Sequence, residues 1–324
     1  MLTRTFATLA AIALTLAATG VPALAQSGYP NRPIEFIIPF APGGPADTSA
    51  RVIQPKMAAD LGVSIVLQNK PGGGGAIGAD YVAKSKPDGY TVFAATNAPL
   101  TIGTAVQDLS YKPSDFTPIG QYMVDVSVIV ARADNPWKTL DEFVDYAKKN
   151  PGKLSYGSAG LGTVSFFMFE LFKLSYGLDI THVPFQGGGP TKNALMGGHV
   201  AVASGGLNSF APLIKSGDLI ALATTAPKRL AALPNVPTMA EKGFPEASLN
   251  IWMALFVPAK TPKDAVDKLA RSLEKTMKDP GVIAAAEKAG LAAEFHDGEA
   301  TRKLIETEHA AVKKVVEKLG IGKK

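Results

Sequence analysis

The pattern Pro-Phe-x-x-Gly-Gly-Pro occurs twice in this chain, at Pro39–Pro45 and at Pro184–Pro190, 184 − 39 = 145 positions apart. Each copy follows a short apolar run, Ile34–Pro39 or Ile180–Pro184, and precedes a helical stretch, Asp47–Leu61 or Thr191–Met196. A strand, a glycine-rich loop and a helix start, set out once in each half, point to an α/β fold whose halves present similar loops. Glycines let such a loop approach a ligand closely. The helix behind it leaves its first N–H groups unpaired and places partial positive charge there. Two such termini facing one cleft form a carboxylate clamp that needs no arginine. Open α/β sheets bind ligands at the carboxyl ends of their strands, where both loops lie. Taken singly, either loop also reads as a plain tight turn. Asp47, beside the first copy, reads as a cap for its helix.

The rest of the chain keeps the alternation. Strands are expected at Ser64–Leu67, Tyr90–Ala95 and Val124–Ala131, with a helix opening over Gly78–Lys84. Pro55 should kink or shorten the first helix. Leu140–Lys149 reads as an amphipathic helix ended by Asn150-Pro151-Gly152. A second block offers strands at Lys153–Gly157, Val200–Ala203 and Leu219–Thr224 and a helix over Ser165–Leu174. The C-terminal part is mainly helical, with Thr261 as cap and Pro262 at the first helical position, and a last helix over Thr301–Leu319. No long Gly, Ser or Pro tether separates the halves. Two lobes would therefore be joined by crossing strands, Val124–Val130 outward and Leu249–Phe256 back, giving lobe 1 as 26–124 plus 250–324 and lobe 2 as 125–249.

A third strand-to-helix loop, Ser158–Ser165, carries hydroxyls that suit either ligand oxygens or a helix cap, and Thr96-Asn97 holds the corresponding strand-end place in the first half. Phe40, Phe185 and Trp252 suit an apolar ligand wall and equally a core.

Residues 1–25 read as an export signal: Arg4, the apolar run Leu9–Ala18, then Ala23-Leu24-Ala25 as a small-x-small cleavage site. Cleavage after Ala25 would release a free, periplasmic chain. There are no cysteines, which excludes disulfides, lipid attachment at the cleavage site and thiol chemistry. The formal charge of +5 becomes +4 once Arg4 leaves, and the basic residues are dispersed among acids. A nucleic-acid footprint would gather them on one stripe.

Enzyme patterns are incomplete. Gly73, Gly75 and Gly78 match G-x-G-x-x-G, but Asn69-Lys70-Pro71 separates them from the strand, and Thr96-Asn97-Ala98 stands where a ribose-binding acid belongs. Ser158 follows Gly157 directly, one place off the nucleophile-elbow spacing. The four histidines, His182, His199, His296 and His309, show no metal-ligand spacing; His182 and His199 flank the second glycine loop. A periplasmic hydrolase acting on a small acid in the same cleft is the alternative reading.

At PFAPGGPADTSAR (Pro39–Arg51), NKPGGGGAIGADYVAKSKPDGYT (Asn69–Thr91), YGSAGLGTVS (Tyr156–Ser165), VPFQGGGPTKNALMGGHV (Val183–Val200) and LPNVPTMAEKGFP (Leu233–Pro245) the chain resembles the substrate-binding proteins of tripartite tricarboxylate transporters, the Bug family. The likeness runs in order through nearly the whole mature chain. It implies a two-lobed, type II-like periplasmic-binding-protein fold, with a mainly parallel sheet in each lobe and the ligand between them. It implies no cofactor, no metal and no catalysis. Its partners would be a small carboxylate, a dicarboxylate or aromatic acid foremost, and inner-membrane permease subunits, and the receptor would be a monomer. Carried over with the loop readings above, the ligand-binding set is Phe40, Pro42, Gly43, Gly44, Asp47, Thr96, Asn97, Ser158, Gly162, Thr163, Ser165, Phe185, Gly187, Gly188 and Asn208. One departure stands out: Ala201 and the stretch Ser204–Asn208 lack the acid that many members carry there.

Overall fold

The computed structural model describes residues 28–245 and 249–320. The expected export signal, with its cleavage position after Ala25, lies outside them. Eleven strands form two sheets. The first holds β1 (Ile34–Ile38), β2 (Ile65–Asn69), β3 (Thr91–Thr96), β4 (Phe116–Asp125), β10 (Ile251–Pro258) and β11 (Ala292–Asp297). The second holds β5 (Ser127–Arg132), β6 (Leu154–Ser158), β7 (Ile180–Pro184), β8 (Val202–Gly206) and β9 (Leu219–Thr224). The helices are α1 (Pro45–Leu61), α2 (Ala76–Ala83), α3 (Ile102–Val106), α4 (Leu140–Lys149), α5 (Val164–Tyr176), α6 (Gly188–Met196) and α7 (Leu207–Ser216). Three more follow the second sheet: α8 (Lys263–Met277), α9 (Pro280–Lys288) and α10 (Gly298–Leu319).

The sheet orders explain how the chain makes two lobes. The first runs β11-β4-β10-β3-β1-β2 and the second β7-β6-β8-β5-β9. Leaving β11 aside, both have one plan: second, first, third, an intruder, fourth. The intruder is in each case the strand that has just arrived from the other lobe, β10 or β5. Both intruders pair antiparallel with their neighbours, while β1 with β2 and β3, and β6 with β7 and β8, pair parallel. Most strands of each sheet run one way, but both sheets are mixed: four pairings are parallel and five, at the intruders and at the edge strand β11 on β4, are antiparallel.

Local sequence accounts for the elements. In β1, Ile34, Phe36 and Ile38 join one buried cluster and Ile37 another, so both sheet faces are covered and the run is apolar apart from the half-buried Glu35. In α4, Leu140, Phe143, Val144 and Ala147 are buried at helical spacing, and Thr139 with Glu142 forms a capping box. Helices α8 and α10 pack on β4, and α9 packs on α1, which returns the C-terminal part to the first lobe.

Three local expectations fail. Pro55 does not shorten its helix, which runs on to Leu61, because Pro55 sits on the exposed face, where water can serve the carbonyl it leaves unpaired. Thr261 does not cap α8; Pro262 takes the cap position, and the Thr261 hydroxyl is buried without a partner. Val124–Ala131 is not one strand. It breaks at Val126, with Asp125 ending β4 in one sheet and Ser127 opening β5 in the other. Thr225, on the return path, ties to this break: its hydroxyl accepts from the Ser127 N–H at 2.9 Å and its own N–H donates to the Ser127 carbonyl at 2.9 Å.

Candidate functional site

The two Pro-Phe-x-x-Gly-Gly-Pro loops do not occupy equivalent places in the plan. The first copy follows β1, the first strand of its sheet, whereas the second follows β7, the second strand of its own. The topological counterpart of the first copy is the Ser158–Thr163 loop after β6. The counterpart of the second is the Asn69–Gly75 segment after β2.

Across the interlobe cleft the loops pair crosswise. The Ala41 N–H donates to the Gln186 carbonyl at 2.8 Å, joining the two motif copies, and the Ser209 hydroxyl of α7 donates to the Gly43 carbonyl of the first copy at 3.3 Å. A methyl group on Gly44 would stand 3.2 Å from the Gly188 nitrogen. On the other side Gly74, at φ +65°, faces the Leu161 carbonyl so closely that any side chain would overlap it. Gln107 Nε2 donates to that carbonyl at 3.2 Å. The lobes are closed on each other.

Between the loops lies a cavity of about 30 Å³. Four helices begin at its wall: α1 contributes Gly44, Pro45 and Ala46; α5 contributes Thr163, Val164 and Ser165; α6 contributes Gly188; Gly206 leads into α7. Gly44, Gly187 and Gly206, the caps of α1, α6 and α7, supply no side-chain cap. First-turn N–H groups of a helix have no partner inside it and carry the positive end of its dipole. Phe40, Ala98 and Ile251 supply an apolar wall, Thr96 a hydroxyl, and no charged side chain lines the cavity. The site draws its positive potential from backbone alone. Its volume in this closed arrangement is far below the ~300–1,000 Å³ of ordinary small-molecule pockets.

The sequence-derived set divides accordingly. Phe40, Gly44, Thr96, Thr163, Ser165 and Gly188 stand on the wall. Gly43 and Gly187, both at positive φ, shape the loops that meet across the cleft. Pro42 and Phe185 lie in those loops off the wall, and Gly162, at φ +75°, packs toward Gly103 and Gln107. Asp47 serves its helix from the third position, accepting from the Gly43 N–H at 3.1 Å, from Arg51 at 2.9 and 3.0 Å and from Asn69 at 3.1 Å. Burial raises its carboxyl, but these bonds prevail and hold it below the usual range. Asn97 is buried behind Thr96 and donates to Glu308 at 2.6 Å; Glu308 also accepts from Thr101 at 2.7 Å and from Trp252 at 2.8 Å. Trp252 is thus core. Asn208 sits at the start of α7 against Asp125. Sequence reasoning missed Pro45, the last residue of the first motif copy, and Ala46, Ala98, Ala159, Val164, Gly205, Gly206 and Ile251, which give the wall backbone and bulk.

The hydrolase reading meets one suggestive contact, Ser158 Oγ to His182 Nε2 at 2.7 Å. Ser158 is fully buried and off the cavity wall, and its oxygen also accepts from the Gly160 N–H at 3.2 Å. Burial lowers His182 to about 4. The pair ties β6 to β7 beneath the loops. Among the described residues no group of three His, Asp or Glu side chains could hold a metal ion.

The comparisons agree with this architecture. The family model described as the tripartite tricarboxylate transporter family receptor matches residues 49–321. Protein BugT of Bordetella pertussis is 34% identical over 281 residues, covering 86% of this chain and 86% of that protein. MatC from Rhodopseudomonas palustris, solved with bound malate, superposes at a TM-score of 0.85 with 31% identity, over 89% of this chain and 100% of that one. An R. palustris protein solved with adipate gives a TM-score of 0.85 at 29% identity, over 91% and 99% of the two chains. The chain belongs to the tripartite tricarboxylate transporter receptor family.

Proposed function

We propose that this protein is an extracytoplasmic solute receptor that closes its two lobes on a small organic carboxylate, returns it unchanged, and delivers it to a tripartite membrane transporter. The observation that carries this reading is the convergence of four helix starts on one interlobe cavity without a charged side chain. Such a site favours an anion with oxygen acceptors, and its wall sets no acid or base beside the hydroxyls of Thr96, Thr163 and Ser165. Solved relatives holding malate and adipate support a small acid as the ligand class. The proposed binding set is the one named from the sequence, with wall contact through Phe40, Gly44, Thr96, Thr163, Ser165 and Gly188. The proposed lobe boundaries are 26–124 plus 250–324 and 125–249, the receptor acts as a monomer, and export with cleavage after Ala25 places it in the periplasm beside permease subunits.

Calorimetric titration of the mature protein with acetate, succinate, malate, adipate, citrate and benzoate tests the reading. Saturable binding of one of these acids, recovered intact after release, is the expected result. No binding across the panel overturns it.

A further inference from the structure

Two of the four helix starts at the cavity carry an acid of this chain: Asp47 at α1, paired with Arg51, and Asp125 at α7, which has no such pair. Asp125 ends β4 at the crossing between the lobes and is 3% exposed. Both of its carboxylate oxygens lie 3.4 Å from the Asn208 N–H, and the Val126 and Leu207 N–H groups also face it. A side chain on Gly206 would overlap Asp125 Oδ2 and stand 2.5 Å from Pro45 Cγ, so the acid adjoins two residues of the cavity wall. Its neighbour across the sheet, Ile251, is a third.

Among the described residues no cation pairs with it. Strand β10 carries no ionisable residue, Arg132 is at the far end of β5, and Lys215 is in the last turn of α7. On α1, Asp47 is paired with Arg51, Lys56 with Asp279, and Asp60 with Lys275. On β11, Glu294 is paired with His296, and Asp297 caps α10. Glu308 of α10 is held by Asn97, Thr101 and Trp252. An ionised acid here and a ligand carboxylate in the cavity would be two like charges competing for one set of helix starts, and one of them must take a proton.

Resting on the carboxylate reading above, we infer that Asp125 is a specificity-determining residue of the cleft: the loaded protein holds it as the neutral acid, so a carboxylate and a proton are taken up together. Burial pushes its carboxyl well above the usual range against the pull of three main-chain N–H groups, which agrees with this geometry. The sign is fixed. Neutral Asp125 favours the bound anion, so affinity is highest at low pH and falls as pH rises and the free protein's Asp125 ionises, by at most tenfold per pH unit for one proton. The last carboxyl of a di- or tricarboxylate titrates above a lone carboxyl's ~4, a contribution that wild type and variant share and that cancels when their pH profiles are compared.

The test is the dissociation constant of the tightest-binding acid of the panel, measured from pH 6 to 9 for the wild type and for Asp125→Asn, which is permanently neutral. The inference expects wild-type affinity to fall steeply with pH while the variant's stays within about threefold. Parallel pH profiles overturn it and leave the carboxylate reading intact. Titration of the wild type in phosphate and in Tris counts the protons directly and needs no variant. Uptake approaching one proton somewhere in this range supports the inference, and none at any pH overturns it. Absence of binding by any acid overturns the carboxylate reading and this inference with it.

Discussion

Replacing Gly74 by alanine separates closure from folding. The residue sits at φ +65°, and its added methyl would overlap the Leu161 carbonyl oxygen on the opposite lobe. Two costs arise. The left-handed backbone costs an alanine about 1 kcal/mol in any state of the protein. The overlap exists only when the lobes are closed, and it falls on main chain, which cannot swing aside; overpacking of this kind costs ~3 kcal/mol. Since a ligand binds only as well as the closed state is accessible, that second cost appears in affinity, and 3 kcal/mol is about 100-fold. Gly62→Ala is the control: φ is +71° there, and nothing lies within 4 Å of an added methyl. Calorimetry with the bound acid and thermal unfolding of the unliganded proteins read the two costs separately. Both variants should lose similar thermal stability, and only Gly74→Ala should lose about 100-fold in affinity. If Gly74→Ala binds within threefold of Gly62→Ala, the closed arrangement of the loops is not the ligand-holding one.

Gly188→Val, whose Cβ would stand 2.7 Å from Ser209 Oγ and whose branches would crowd the cavity, should weaken binding at least tenfold with little change in unliganded stability. Glu308→Leu leaves Asn97, Thr101 and Trp252 without their shared acceptor and should destabilise the protein by ~3 kcal/mol in urea unfolding. His182, lowered to about 4 by burial, takes up a proton more readily unfolded than folded, so its contribution is present above pH ~6.5 and lost as pH falls toward 4. Unfolding midpoints of wild type and His182→Gln should therefore diverge over that window, the wild type losing up to about 3 kcal/mol more.

Much of this fold was legible because its strands are buried on both faces and read as plain apolar runs. IEFII in β1 and IWMALF in β10 need no partner to be recognised. Where burial and polarity part company, reading failed. Val-Asp-Val-Ser-Val looks like one strand with a wet face, yet Asp125 and Ser127 are both buried, because the chain changes sheets at Val126 and main-chain groups of α7 serve the acid. Strand β11 went unread because its side chains are mostly exposed. The repeated motif located two loops that do meet in the cleft, but as partners across it rather than as copies of one position; pattern carries no topology. Half the wall consists of residues such as Ala46, Gly205 and Gly206 whose contribution is backbone, which leaves no signature in side-chain identity.

A hold made of main-chain N–H groups has a lasting consequence for how such a chain diversifies. Short of proline, substitution leaves a main-chain N–H in place, so a grip of the proposed kind persists through ordinary drift. What substitution can edit is the room beside it: Phe40, Ala98, Val164 and Ile251 set the breadth and length of the space. Exchanges at those four positions would retune the protein among acids of different size while keeping its allegiance to acids. On the proposed reading, backbone at the helix starts answers to the acid group of the cargo and these four side chains to its shape.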